Sequence, residues 1–212
     1  MSWEAMWSRG LRPGQAFDAA QVEPALKSLI GGGVLPSGPA LVPGCGRGYA
    51  CVALAAEGRS VLGLEVAPTA VQEARQHFKE VRASPSCSVE HQDFFDPEFH
   101  ESHGGEFALG YDCTFLCAMN PSMRQAWAQS WSKVLKPGGE LVTLLFPLPR
   151  EGEADPVDVA GSGPPYTISQ NLASNLLSPL GFKLISAERV PLDKVARNRD
   201  EIIARWQAPE SQ

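Results

Sequence analysis

The chain has 212 residues, 43% of them hydrophobic and 20% charged, a composition typical of a globular protein of one domain. Its net charge of -6 argues against a general nucleic-acid-binding protein, which usually carries a basic surface. No apolar run approaches the ~20 residues that cross a bilayer, and the N-terminus lacks the order of a secretory signal. We therefore expect a cytoplasmic protein that binds neither nucleic acid nor membrane.

Strands and helices alternate along the chain. The apolar spacing of residues 17–30 predicts a first helix. Apolar runs predict seven strands, at 40–42, 60–64, 86–91, 107–112, 140–146, 182–190 and 201–207. Further helices are predicted at 49–57, 68–80, 121–135 and 167–180, with a KPGG turn before the fifth strand and a long loop at 147–165. This alternation predicts an α/β fold with a mostly parallel sheet and helices on both faces.

A glycine-rich turn follows the first predicted strand. Gly44, Gly46 and Gly48 let the backbone turn sharply and approach a ligand, and Glu65 ends the next strand, where a carboxylate can bind ribose hydroxyls. The dinucleotide fingerprint G-x-G-x-x-G is not met, because Tyr49 stands where its third glycine belongs. The pattern favours a nucleoside with an amino-acid tail, with glycines that serve packing alone as the alternative.

A second candidate contact follows the third strand, in the sequence HQDFFD. The Asp93 carboxylate can accept a hydrogen bond from an adenine amino group while the Phe94 ring covers the base. The alternative is that Asp93 caps a turn and that Phe94 and Phe95 belong to the core.

Metal and disulfide chemistry have little support in the sequence. The five cysteines include no CxxC pair, so we predict neither a disulfide framework nor a zinc site. His100 and His103 form the one close histidine pair, and we interpret their Gly-flanked polar stretch as a solvated loop.

Seven sequence stretches together resemble the thiopurine methyltransferase superfamily, and most closely its halide and thiol methyltransferase branch. The resemblance spans Trp3 to Trp206 and rests on LVPGCGRGY, GLEVAPTAV, QDFFD, YDCTFLCAMNPSMRQAWA, LKPGGELVTLLFP, GPPY and RNRDEIIARW. It implies a Rossmann-like class I methyltransferase with a seven-stranded sheet whose last strand is antiparallel. It also implies a single domain over 1–212 with an N-terminal helical lid at 1–30, S-adenosylmethionine as donor, S-adenosylhomocysteine as product, and no metal.

The resemblance also assigns residues to the site. It places Gly44 and Gly46 beside the cofactor, Glu65 and Val66 at the ribose, and Asp93 with Phe94 at the adenine. It places Asp112, Cys113 and Thr114 near the methionine end, Tyr166 at the acceptor, and Trp3 and Trp7 over the cofactor, although these two could simply anchor their helix.

Three positions depart from the family pattern. Phe17 stands where a tryptophan is usual, Cys113 where the halide branch has tyrosine, and Ala67 where a hydroxyl residue would cap the next helix.

The expected reaction is direct in-line transfer of the methyl group to a small soft nucleophile: a halide, bisulfide, thiocyanate or thiol. Thr114 and Tyr166 are the candidate catalytic residues, the latter as a hydrogen-bond donor to the anion or as simple packing in its loop. We do not expect Cys113 or Cys117 to act as a covalent nucleophile. Arg197 and Arg199 are interpreted as a solvated basic strand edge, with binding of an anionic group as the alternative. The alternatives are a thiopurine-type or broad thiol S-methyltransferase and a silent S-adenosylmethionine-binding domain. We expect a monomer whose partner is a small molecule or anion.

Overall fold

The computed structural model describes residues 2–56, 58–150, 163–197 and 200–210. These residues build one seven-stranded sheet in the order β3-β2-β1-β4-β5-β7-β6. Its strands are β1 (Ala40–Pro43), β2 (Val61–Glu65), β3 (Cys87–His91), β4 (Phe107–Cys113), β5 (Leu135–Leu145), β6 (Lys183–Arg189) and β7 (Ile202–Gln207). The helices are α1 (Trp3–Trp7), α2 (Pro24–Gly31), α3 (Tyr49–Ala55), α4 (Pro68–Glu80), α5 (Pro97–Ser102), α6 (Arg124–Val134) and α7 (Gln170–Leu177).

The sheet confirms the predicted architecture. β1 pairs in parallel with both β2 and β4, and β7 runs antiparallel to β5 and β6. All seven predicted strands are present. Because β1, β2 and β4 are parallel neighbours, their carboxyl ends meet at one edge of the sheet, where ligands of such folds bind.

Apolar side chains cover both faces of the sheet. On one face Trp127 and Trp131 of α6 pack with Leu176 of α7, and on the other Leu26 of α2 packs with Leu54 of α3. All five are nearly inaccessible to solvent. No helix of the described ranges is long and apolar enough to cross a membrane.

The first predicted helix is shorter than residues 17–30. It begins at Pro24, whose ring fixes a helical φ but has no N–H to continue a helix from upstream. Before it, the Asp18 carboxylate accepts from the Ala20 N–H at 2.7 Å, and Ala20 has a φ of +56°. This local turn replaces the predicted first part of the helix.

Other predicted boundaries also shift. The helix predicted at 121–135 starts with a 3-10 turn, Pro121–Met123, before α6. That predicted at 167–180 starts at Gln170, because the Ser169 hydroxyl accepts from the Leu172 N–H at 2.9 Å and caps α7. The KPGG residues lie within β5, which begins at Leu135. Residues 151–162 of the predicted loop lie outside the described ranges.

The stretch interpreted as a solvated loop around His100 is a short helix, so that prediction is wrong. Asp96 caps α5 by accepting from the Glu98 N–H at 2.9 Å, and Pro97 occupies its first turn. His100 is buried, with Nε2 2.7 Å from the Phe94 carbonyl oxygen. Within the described part of the chain, no cluster of three or more histidine, cysteine or acidic side chains could hold a metal ion.

Candidate active site

The turn between β1 and α3 is built from left-handed glycines. Gly44, Gly46 and Gly48 have φ of +58°, +55° and +73°. A Cβ on Gly44 would lie 2.5 Å from Cδ2 of Phe115, and one on Gly48 would lie 2.4 Å from Cε1 of Phe78. Gly48 therefore serves helix packing, whereas Gly44 and Gly46 lie at the edge of the sheet where the strand ends converge.

Glu65, the last residue of β2, is linked to this turn. Its Oε1 accepts from the Gly46 N–H at 2.8 Å, although the residue is only 7% exposed. Burial raises the pKa of Glu65, and backbone donors at Gly46, Val66 and Ala67 act in the opposite direction. Val66, next in the chain, is exposed. A buried carboxylate thus lies directly beside the glycine backbone, as the sequence predicts.

Asp93 and Phe94, which follow β3, differ in their exposure to solvent. Asp93 is exposed, and its carboxylate accepts from the Phe95 N–H at 2.9 Å. The Phe94 ring is buried in the core, 4.8 Å from the Trp131 ring between centroids. The rings left partly exposed here are Phe95 and Phe115, which stack with centroids 6.0 Å apart. The sequence analysis treats Phe95 only as a core residue and does not single out Phe115, which directly follows Thr114.

Both carboxylate oxygens of Asp112 accept hydrogen bonds from within the protein. One of its oxygens accepts from Trp127 Nε1 at 2.7 Å, and the other accepts from the N–H groups of Phe115 and Leu116 at 3.3 and 3.2 Å. Burial raises its pKa to about 6 despite these donors. The carboxylate therefore fixes the segment after β4 on α6.

Thr114 follows directly and has a strained backbone. Its φ is +59°, a conformation that a β-branched residue rarely adopts. Its hydroxyl donates to the Cys113 carbonyl at 2.6 Å. Such strain often marks a functional position and supports further attention to this residue.

The thiols near this site are poor nucleophiles. Burial raises the pKa of Cys113 well above the ordinary thiol value and raises that of Cys117 to about 12. Both cysteines are free of disulfides. The protonated thiol is the unreactive form, which agrees with the expectation that neither cysteine forms a covalent intermediate.

The N-terminal residues fold over the glycine turn. Trp7 is 3% exposed, and its Cζ2 lies 3.5 Å from where a Cβ of Gly46 would stand. Phe17 meets the rings of Trp3 and Trp7 edge-on, at 5.6 and 5.7 Å between centroids. Phe17 thus completes an aromatic cluster over the turn.

The missing helix cap at Ala67 is supplied from the same N-terminal residues. The Glu4 carboxylate accepts from both the N–H and the hydroxyl of Thr69, at 3.0 and 2.5 Å, in the first turn of α4. These bonds lower the pKa of Glu4. An acidic group at this position also interacts favourably with the helix dipole.

A profile of the thiopurine S-methyltransferase family matches residues 1–208, nearly the whole chain. The chain belongs to the thiopurine S-methyltransferase family. Among its relatives is probable thiol methyltransferase 2 of Arabidopsis thaliana, 39% identical over 96% of this chain and 83% of that protein. Thiocyanate methyltransferase 1 of Brassica oleracea is 35% identical over the same shares.

Solved structures show the fold that this member of the thiopurine S-methyltransferase family shares more widely. A protein of echinomycin biosynthesis aligns with a TM-score of 0.76 and 19% identity, covering 99% of this chain and 92% of that one. The magnesium protoporphyrin IX methyltransferase of Synechocystis, solved with bound SAM, aligns with a TM-score of 0.64 and 18% identity, covering 87% and 76%. These neighbours confirm a Rossmann-like methyltransferase fold.

Two further residues singled out in the sequence, Tyr166 and Arg197, have different contacts in the structure. The Tyr166 N–H donates to the Cys117 carbonyl at 2.7 Å, which ties its loop to the segment after β4. Arg197 is not a solvated edge residue, so that interpretation is wrong: its side chain is 15% exposed, pairs with Glu23 at 2.9 Å and lies 5.7 Å above the Phe146 ring. Arg199 lies outside the described residues.

Proposed function

We propose that this protein transfers a methyl group from S-adenosylmethionine to a small, soft, thiol-type nucleophile, and that halide ions also serve as acceptors. One observation carries the proposal: buried Glu65 bonded to the left-handed Gly44–Gly48 turn, in a chain of the thiopurine S-methyltransferase family. The pair fits this donor, because ribose hydroxyls can donate to a carboxylate and glycine backbone admits the amino-acid tail. When bound, S-adenosylmethionine supplies a methyl group already activated by its sulfonium.

The residues around the turn have distinct proposed roles. Glu65 accepts from the ribose hydroxyls, with Val66 beside it. Asp93 accepts from the adenine amino group, and the partly exposed Phe95 is better placed than buried Phe94 to cover the base. Trp7 and its aromatic neighbours exclude water from the region above Gly46.

For an anionic acceptor, the acceptor side needs orientation rather than a general base. A bisulfide, thiocyanate or halide ion already carries its lone pair, so no residue has to remove a proton. Thr114 shapes the end of β4, and Tyr166 is our candidate hydrogen-bond donor to the anion. The high pKa values of Cys113 and Cys117 favour direct transfer over a route through an enzyme thiol.

Calorimetry with S-adenosylmethionine and S-adenosylhomocysteine tests the donor site. We expect Glu65→Ala to weaken binding about ten- to a hundred-fold, because hydrogen bonds to a charged group are worth about 1.5–3 kcal/mol each. Glu90→Ala, which removes an exposed carboxylate from neighbouring β3, serves as the control.

Product analysis tests the reaction. With bisulfide or thiocyanate present, we expect methanethiol or methyl thiocyanate together with S-adenosylhomocysteine. A folded wild-type protein that binds neither nucleoside would overturn the donor assignment. Binding without turnover on bisulfide, thiocyanate, iodide or a thiopurine would instead indicate a silent binding domain.

A further inference from the structure

Arg47 leaves the glycine turn between Gly46 and Gly48 and reaches into the N-terminal residues. Its Nε donates to Asp18 Oδ2 at 2.8 Å, and its Nη2 donates to the Leu11 carbonyl. The guanidinium carbon lies 5.4 Å from the centroid of the Trp7 ring. One side chain thus contacts three points of the segment 2–18, which we call the N-terminal segment.

The same guanidinium also joins this segment to α4. Its Nη1 donates to Glu73, while the side chains of Arg47 and Asp18 are 8% and 3% exposed. The fork of donors on arginine can hold several acceptors at once, which a lysine cannot do. Since buried ion pairs often add little net stability, this network is better explained by the geometry that it fixes.

A second attachment joins the N-terminal segment to the first turn of α4, the helix that follows β2. Glu4 caps α4 at Thr69, four residues after Glu65. Glu65 in turn accepts from Gly46, the residue directly before Arg47. The glycine turn, the end of β2 and the N-terminal segment therefore form one connected set of hydrogen bonds.

We propose that Arg47 is a positioning residue that couples donor binding at the glycine turn to closure of the N-terminal segment. The inference rests on the proposed function, because it takes the turn as the donor site. A donor that orders the turn fixes the Arg47 backbone, and its guanidinium then holds the Leu11 carbonyl, Asp18 and the Trp7 ring in place. Without that side chain, the donor still meets Glu65 and the glycines, but the segment above it is released.

The test is hydrogen exchange of residues 3–18 in the full chain, with and without saturating S-adenosylhomocysteine. In the wild type we expect the nucleoside to slow exchange there by about ten-fold or more. In Arg47→Gln we expect binding to persist, weakened by about ten-fold, while the added protection of residues 3–18 is lost. Arg47→Lys, which keeps the charge but not the fork, should retain part of the protection.

Arg205→Gln is the matched control. Arg205 of β7 also donates through Nε and Nη2 to a carboxylate, that of Glu140 on β5. Its Nη2 also donates to the carbonyl of Val34, which precedes the amino end of β1, whereas the glycine turn follows the carboxyl end of β1. This variant should keep the full ligand-induced protection even where its melting temperature falls. Full protection in Arg47→Gln would overturn the inference, as would equal loss in both arginine variants. If Arg47→Gln does not fold, full protection in Arg47→Lys would overturn it.

The two proposals fail in different ways. A wild-type chain that does not bind S-adenosylhomocysteine refutes the donor site itself. A wild-type chain that binds it without protecting residues 3–18 refutes only the coupling through Arg47.

Discussion

Thr114 has a backbone conformation that its side chain disfavours. At a φ of +59°, a residue branched at Cβ is strained by about 1–3 kcal/mol. The neighbouring bonds hold it there: Asp112 accepts from the N–H groups of Phe115 and Leu116, and the Thr114 hydroxyl donates to the Cys113 carbonyl. The segment after β4 therefore has a fixed shape at the edge where the acceptor is expected.

We expect replacement of Thr114 to affect stability and activity in opposite directions. Thr114→Gly relieves the strain, so we expect a melting temperature equal to or above that of the wild type, together with a turnover lower by about ten-fold or more if the hydroxyl and its fixed backbone serve the acceptor. Thr114→Ser keeps the hydroxyl and should retain most of the activity. Unchanged turnover in the glycine variant would remove Thr114 from the site.

Asp112 makes stability depend on pH. Its pKa of about 6 in the folded protein lies above the ordinary value of 3.8, because burial disfavours the charge. The folded state thus binds the proton more tightly than the unfolded chain. The resulting stabilisation is fully present below pH 3.8 and is lost as the pH rises through about 6.

Urea unfolding between pH 4 and 7 measures this effect. We expect the stability of the wild type relative to Asp112→Asn to fall by about 2–3 kcal/mol over that range, since one pKa unit is worth about 1.4 kcal/mol. Trp127→Phe removes a donor to the carboxylate and should move the loss to higher pH. Parallel curves for the wild type and Asp112→Asn would contradict the shift.

At the scale of elements, the glycine turn and the segment after β4 are packed against each other. The Phe115 ring occupies the space that a side chain at Gly44 would need. This contact fixes the distance between the carboxyl ends of β1 and β4. Any side chain at Gly44 would push the two elements apart.

We expect Gly44→Ala to weaken S-adenosylhomocysteine binding and to destabilise the fold by more than the about 1–2 kcal/mol of a left-handed alanine. Gly58→Ala is the matched control, because Gly58 has a φ of +79° and nothing within 4 Å of a new Cβ. Calorimetry and urea unfolding compare the two variants. Equal effects on stability and binding would mean that Phe115 yields readily.

The elements differ in how far the sequence predicts them. The seven strands, the glycine turn and Glu65 follow from local patterns of apolar residues and glycines. The capping of α4 by Glu4 and the bonds of Arg47 to Leu11 and Asp18 do not, because these partners are far apart in the chain. The burial of Phe94 rather than Phe95 could not be predicted either, because two adjacent phenylalanines give no local signal of which one faces the core.

For the whole molecule, the sheet order determines the surroundings of the proposed acceptor site. The ends of β1, β2 and β4 converge under aromatic side chains, and Trp7 and Phe115 lie against the glycine turn. An ion that enters such a region must lose much of its water. We therefore expect the proposed acceptor site to favour weakly hydrated, polarisable ions over small, strongly hydrated ones.

We expect iodide and bisulfide to be methylated faster than chloride at equal concentration. The rates should not change when a chelator of divalent metals is added, since the proposed direct transfer from a sulfonium to an anion rests on the proximity and desolvation of the two reactants. Methylated products are measured by gas chromatography with and without the chelator. Equal rates for chloride and iodide would refute the desolvation argument, and a loss that zinc or magnesium restores would refute the metal-free reaction.

The distribution of tryptophans gives the protein a built-in optical reporter. Trp127, Trp131 and Trp206 are fully buried in the core, whereas Trp3 and Trp7 lie in the N-terminal segment. Departure of that segment from Gly46 would carry only the last two indoles into water, so their emission would shift to the red against a constant background from the other three. Stopped-flow fluorescence of the unlabelled chain can therefore time this movement without any added dye.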